Sequence, residues 1–138
     1  MITLGVADVD RARAFYERLG WRGQTVEQTT FFQVGGMALV LWAREKLAAD
    51  AGLAGGVPTG FCGMALAHNV RSRRDVEDLV TAAEAAGATV TRRPADTSYG
   101  GYAGYFTDLD GYAWEVAYNP GLPLEQDGSV ALPDFGAE

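Results

Sequence analysis

The chain of 138 residues has one cysteine, one histidine, five prolines and few basic side chains. The lone Cys62 excludes an internal disulfide and fits a reducing compartment; it is expected to pack as a small apolar residue. No stretch approaches the roughly 20 consecutive apolar residues of a membrane helix. The start, MITLGVADVDRAR, is charged by residue 8 and lacks the apolar core of a secretory leader. A cytoplasmic protein without a membrane partner is therefore expected. Lys and Arg number 11 against 18 Asp and Glu, a net charge of −7 with no basic run, which argues against nucleic acid as a partner. A small neutral or cationic ligand stays open.

What is present is enough for one domain with its own core. Apolar residues make up 48 % and charged residues 21 %, which excludes long disorder. Residues 2–7 alternate as a strand, with Ile2, Leu4 and Val6 on one face. Asp8 is placed to cap a helix over 9–19, whose Val9, Ala12, Phe15, Tyr16 and Leu19 form one stripe, and Gly20 stops it. Residues 21–26, 30–34 and 37–42 read as strands. Residues 44–60 look like a linker, holding at most a short helix ended by Gly52, Gly55, Gly56 and Pro58. The pattern then restarts: a strand over 61–70, a helix over 75–86 closed by Gly87, a strand over 88–92, and a hairpin of 102–107 and 112–118 across Asp110-Gly111. Residues 119–138 read as a wrapping tail.

An offset of 67 superposes Asp8-Val9 on Asp75-Val76, Glu17 on Glu84 and Gly20 on Gly87. The unit is β-α-β-β-β, twice: module 1 over about 1–43 and module 2 over about 61–118, in one domain spanning 1–138. Each unit covers only one sheet face with its helix, so the other needs a second layer or a ligand. Alternation shows what that other face carries. In 61–70 it is Gly63, Ala65, Ala67 and Asn69, and in 112–118 it is Ala113, Glu115 and Ala117. A solvated face would carry Lys, Glu and Thr. Small residues leave room for a cavity with Glu115 as its one charge, or for close packing of another half or subunit.

LGVADVDRARAFYERLGW and GYAGYFTDLDGYAWEVAYNP resemble the first strand–helix and the last hairpin of the vicinal oxygen chelate superfamily. That superfamily contains glyoxalase I, bleomycin-resistance proteins, fosfomycin-resistance enzymes and extradiol dioxygenases. Leu109 stands where the family's motif has Pro. The resemblance implies an α+β fold in which two βαβββ modules form a curved mixed sheet around a cavity. It also implies a homodimer made by sharing or swapping modules, with free sheet edges favouring the pairing. The family's metal ligands would fall on Met1, Val40, Ala65 and Glu115, and only Glu115 has a donor. A transition ion needs three or more, so no cofactor is expected and a divalent metal is disfavoured. The implied function is binding of a small organic molecule without a transition metal; the alternative is a metal-dependent glyoxalase-like lyase or isomerase, or a dioxygenase.

Glu115 could pair with a cationic or polar ligand, act as a general base, or be a remnant bonded to a tyrosine or backbone N–H. Trp42, Tyr99, Tyr102, Tyr105, Phe106 and Trp114 cluster in the last strands of the modules, and SYGGYAGYF interleaves tyrosines with glycines. Tyr99 and Tyr102 would gate the cavity with Tyr105 or Phe106 inside, or the rings would merely cover the sheet. Asn69 joins the candidate ligand contacts. His68, beside it, is expected to face the helix side, away from Glu115. Gly100-Gly101 lacks the Lys and helix of a phosphate loop, and Thr97 and Ser98 have no histidine near them for a triad.

Overall fold

The computed structural model describes residues 1–57 and 59–136. Each module lays down the same sheet. In module 1, β1 (Ile2–Val6), α1 (Val9–Arg18), β2 (Gly23–Val26), β3 (Thr29–Val34) and β4 (Met37–Ala43) give the order β1-β4-β3-β2. A short α2 (Arg44–Asp50) follows in the linker. In module 2, β5 (Ala65–Asn69), α3 (Arg73–Ala85), β6 (Thr89–Asp96), β7 (Tyr102–Thr107) and β8 (Ala113–Tyr118) give β5-β8-β7-β6. In both, the first strand runs parallel to the last and the remaining pairs are antiparallel. The fold is therefore α+β, two βαβββ modules. No described helix is long and apolar enough to cross a membrane.

The repeat holds, but its offset is 64. Asp8 caps α1 by accepting from Arg11 N–H, and Ser72, not Asp75, caps α3 by accepting from Asp75 N–H. Counted from the caps, buried Ala12 and Tyr16 match buried Val76 and Val80. Because α3 has 13 residues against 10 in α1, the glycine stops alone fall at 67.

Three further expectations change. Gly63 adopts φ +84°, a conformation that breaks an extended run, so β5 begins at Ala65 rather than residue 61. Cys62 is consequently exposed, not packed. The tail is not featureless: Leu124 bridges Val130, and Arg71 donates to the carbonyls of Leu124, Glu125 and Gln126. Pro58, expected to help end the linker helix, and residues 137–138 of the tail lie outside the described residues.

The two sheets turn their bulky faces toward each other. Leu4, Val6, Phe32, Leu39 and Leu41 of one sheet and Leu66, Phe106, Trp114 and Val116 of the other share one core with α1 and α3. Tyr16 sits between them: its ring stacks on Trp21 at 5.2 Å and meets Phe32 at 5.8 Å and Trp114 at 5.9 Å. Such ring pairs add about 0.5–1.5 kcal/mol each beyond burial.

The β7–β8 turn locks the modules together. Asp108 accepts from the Tyr16 hydroxyl, 92 positions away in sequence, and from Asp110 and Tyr112 N–H at 3.0 and 2.9 Å. Trp114 Nε1 donates to the Tyr16 hydroxyl at 3.1 Å. Asp110 accepts from Ala7 N–H at 2.8 Å and from the Arg44 guanidinium at 3.2 Å. Tyr112 donates to Gly5 O at 2.8 Å. Gly111, at φ +86°, makes the turn. Burial raises the Asp108 carboxyl against the pull of its donors, and burial together with Asp108 pushes the Tyr16 hydroxyl well up.

Candidate functional site

With the bulky faces sealed against the helices, the small-residue faces turn outward. On the second sheet this face carries Ala65, Ala67 and Asn69 of β5, Ala113, Glu115 and Ala117 of β8, and Tyr105 and Thr107 of β7, by alternation with the core residues between them. Register then aligns one row across the sheet: Ala67 opposite Glu115, Glu115 opposite Tyr105, Tyr105 opposite Arg92. Glu115 and Tyr105 are half-buried and Arg92 is exposed. The Tyr105 hydroxyl is raised by burial first and by the neighbouring Glu115 carboxylate second, while Arg92 pulls it down and Tyr99 pushes it up. The Tyr105 hydroxyl thus senses Glu115, Tyr99 and Arg92.

Of the residues expected at a ligand site, Glu115 and Tyr105 stand side by side, and Asn69 is on the same face one row away, opposite Ala117; Tyr99 is exposed in the loop before β7, near enough to bear on the Tyr105 hydroxyl. The others do not join them. Phe106 is 2 % exposed and points into the core, 6.3 Å from Phe15. Tyr102 shares the Phe106 side of β7: its hydroxyl bonds Glu77 of α3, and the Arg73 guanidinium lies 4.9 Å over its ring. It therefore cannot gate the Glu115 face. Both corrections follow from period-two alternation within β7. Trp114 is also a core residue. Trp42 lies opposite Gly5, on the outward face of the other sheet.

Neither of two concavities beside the modules includes Glu115, although the larger reaches Ala65, Ala67 and Asn69 of its face. One, of about 930 Å³, opens at the free edge of β5 and is lined by Trp21, Leu66, His68, Trp114, Met37 and Val130 among others. The other, of about 300 Å³, lies at the end of β1 beside Arg44 and Val57. The Glu115 face is open at Ala65 and Ala67, which are exposed, and closed toward Ala103 and Ala117, which are 1 % and 5 % exposed. His68 faces the helix side, opposite Val116, as alternation requires; its ring is 6.0 Å from Trp21, and burial lowers its pKa.

The metal positions can be tested on their donors. Met1, Val40 and Ala65 carry no carboxylate, imidazole or amide side chain, and among the described residues no three His, Cys, Asp or Glu gather to hold an ion. One carboxylate does not fit a transition-metal centre.

The model of the glyoxalase/bleomycin resistance protein/dioxygenase superfamily matches residues 1–116. The chain belongs to this superfamily. A glyoxalase-related enzyme from Fulvimarina pelagi is 38 % identical, with a TM-score of 0.87 over 95 % of this chain and 94 % of that one. A lactoylglutathione lyase from Agrobacterium tumefaciens is 25 % identical, with a TM-score of 0.65 over 86 % and 92 %. A glyoxalase/bleomycin resistance protein/dioxygenase family enzyme from Burkholderia phytofirmans PsJN shares the fold, at 21 % identity and a TM-score of 0.76 over 85 % and 94 %. No curated protein matches the chain.

Sequence reasoning missed Arg92 and Trp21. β6 slips register on both sides of Arg92, between Val90 and Arg92 and between Arg92 and Ala95, so simple alternation could not assign its face. Trp21 read as a strand residue, yet it lies outside the strands and stacks on Tyr16. Its place against α1 had no sequence signal.

Proposed function

We propose that this superfamily member binds a small organic molecule without a transition metal, and that Glu115 receives a cationic or polar group of it. The observation that carries this reading is a half-buried carboxylate among Ala67, Ala113 and Ala117 and beside Tyr105, with no salt-bridge partner among the described residues. A carboxylate kept only for solubility would not need a surrounding of small side chains, whereas a ligand needs that space. The reading extends to a cytoplasmic homodimer. β1 and β5 each keep one unpaired edge, and Phe31 is 37 % exposed on the outward face of the first sheet. A second copy laid over these faces would cover apolar surface and enclose Glu115.

Calorimetric titration with benzylamine tests the reading. Binding by chelator-treated protein should match that of untreated protein. Glu115→Gln should weaken it roughly tenfold or more, with the melting temperature within about 2 °C of the parent. Two results overturn the reading: benzylamine binding indifferent to Glu115→Gln, or elemental analysis finding about one Fe, Mn, Ni or Zn per chain that Glu115→Ala removes. The second would restore the lyase and dioxygenase alternative.

A further inference from the structure

The row through Glu115 continues past the carboxylate. Tyr105 is its direct neighbour on β7, and Arg92 is the next on β6. Two strand spacings separate the Glu115 and Arg92 backbones, roughly 10 Å. Arg93, the next residue along, donates to both carboxylate oxygens of Glu84 on α3, at 2.9 and 2.7 Å. That fixes Arg93 on the helix side and sends Arg92 to the Glu115 face, where its charge is felt by the Tyr105 hydroxyl. Neither Arg92 nor Glu115 has a salt-bridge partner among the described residues. Across a wet row of that width the two attract each other only weakly. Two opposite charges are thus held apart with a flat phenol ring between them.

The first sheet shows that the fold does not demand this. Its equivalent row is Thr3, Val40, Phe31 and Gln24, with no charge at either end. The guanidinium is suited to a carboxylate or another planar anion, which it grips with two parallel N–H groups. Glu115 is suited to an ammonium, and the Tyr105 ring to an apolar or aromatic middle.

We propose that the Glu115–Tyr105–Arg92 row binds an amphoteric ligand, its cationic group on Glu115, its ring or apolar body on Tyr105 and its anionic group on Arg92. The inference rests on the proposed role of Glu115 as the cation partner and adds the second half of the ligand.

Three probes separate the two claims on the full-length protein: benzylamine, 4-methylbenzoate and 4-(aminomethyl)benzoate, titrated by calorimetry or by NMR shifts. The amphoteric probe should bind roughly fivefold or more tighter than benzylamine, through one added charge-assisted contact. Arg92→Ala should abolish that margin and leave benzylamine binding within about twofold. Arg92 is exposed, so the variant should fold as the parent does. If the amphoteric probe gains nothing, or its gain survives Arg92→Ala, the inference fails while benzylamine binding lost on Glu115→Gln still upholds the site. If benzylamine ignores Glu115→Gln, the site reading fails and the inference with it.

Discussion

Across the outward face of the first sheet the middle row runs Thr3, Val40, Phe31, Gln24; across the second it runs Ala67, Glu115, Tyr105, Arg92. The strand order and pairing senses beneath the two rows are the same, apart from the register slips of β6 around Arg92. On the inward faces the modules agree in kind: Leu41 stands where Val116 does, and Phe32 where Phe106 does. Folding needs the inward residues, since both sheets and two helices close one core with them. The outward residues carry less of that duty, although Val40 is 4 % exposed, and only the second module sets out ionisable groups in its row. The turns differ in the same sense. The β3–β4 turn at Gly35-Gly36 bonds only to its own hairpin, through Gln33, whereas the β7–β8 turn at Asp108–Tyr112 holds α1, α2 and β1.

The turns give the largest effect. Asp108 is 6 % exposed and satisfies three donors, one of them the buried Tyr16 hydroxyl. Asp108→Ala leaves all three unpaired and should cost about 3–5 kcal/mol in denaturant unfolding. Gly36→Ala meets open space around the new methyl and should change stability by no more than about 0.5 kcal/mol. Comparable losses from both variants would show that the turns are equivalent and that the clasp between modules does not matter.

Exchanging chemistry between the rows should come next in size. Val40 occupies the lattice position of Glu115 but is only 4 % exposed. Val40→Glu buries a carboxylate with no partner in its row and should cost about 2–4 kcal/mol. Glu115→Val, on the half-buried face, should stay within about 1 kcal/mol of the parent. Val40→Glu tolerated without loss would mean that the first sheet also has room for a charged site, and the contrast between the rows would collapse.

Much of this frame was legible in the sequence. Alternation alone sorted Leu66 from Ala67 and Trp114 from Glu115, because β5 and β8 are regular. The same rule applied to β7 separates Tyr102 and Phe106 from Tyr105, but there the density of aromatic side chains suggested one cluster. Arg92 was hidden by the register slips of β6. Asp108 lies beside the Asp110-Gly111 turn, and nothing local announces a partner 92 residues away. The outward turn of the Glu115 face was illegible for a different reason: alternation tells which residues share a face, not which way two packed modules turn that face.

The finest contrast lies on the inward face, where His68 takes the position that Leu4 holds in the first module, each opposite the last strand's core residue, Val116 and Leu41. Leu4 is sealed, while His68 is half-buried at the cleft beside Trp21. Burial lowers the His68 pKa in the folded chain, so the unfolded chain binds the proton more readily. Between the lowered folded value and about 6.5, the unfolded state therefore holds more protons, and stability rises with pH. Acidification through that window should lower the melting temperature by less than either variant above. Glu84 and Asp127, whose carboxyls are held below their ordinary values by Arg93 and Ser129, would lose their contribution only at more acidic pH. His68→Leu copies the first module at this position and should flatten the profile just below about pH 6.5, with stability at pH 8 unchanged or raised. An unaltered slope in the variant would mean that His68 is as hydrated in the folded chain as in the unfolded one, and that the cleft at β5 is wet at its imidazole.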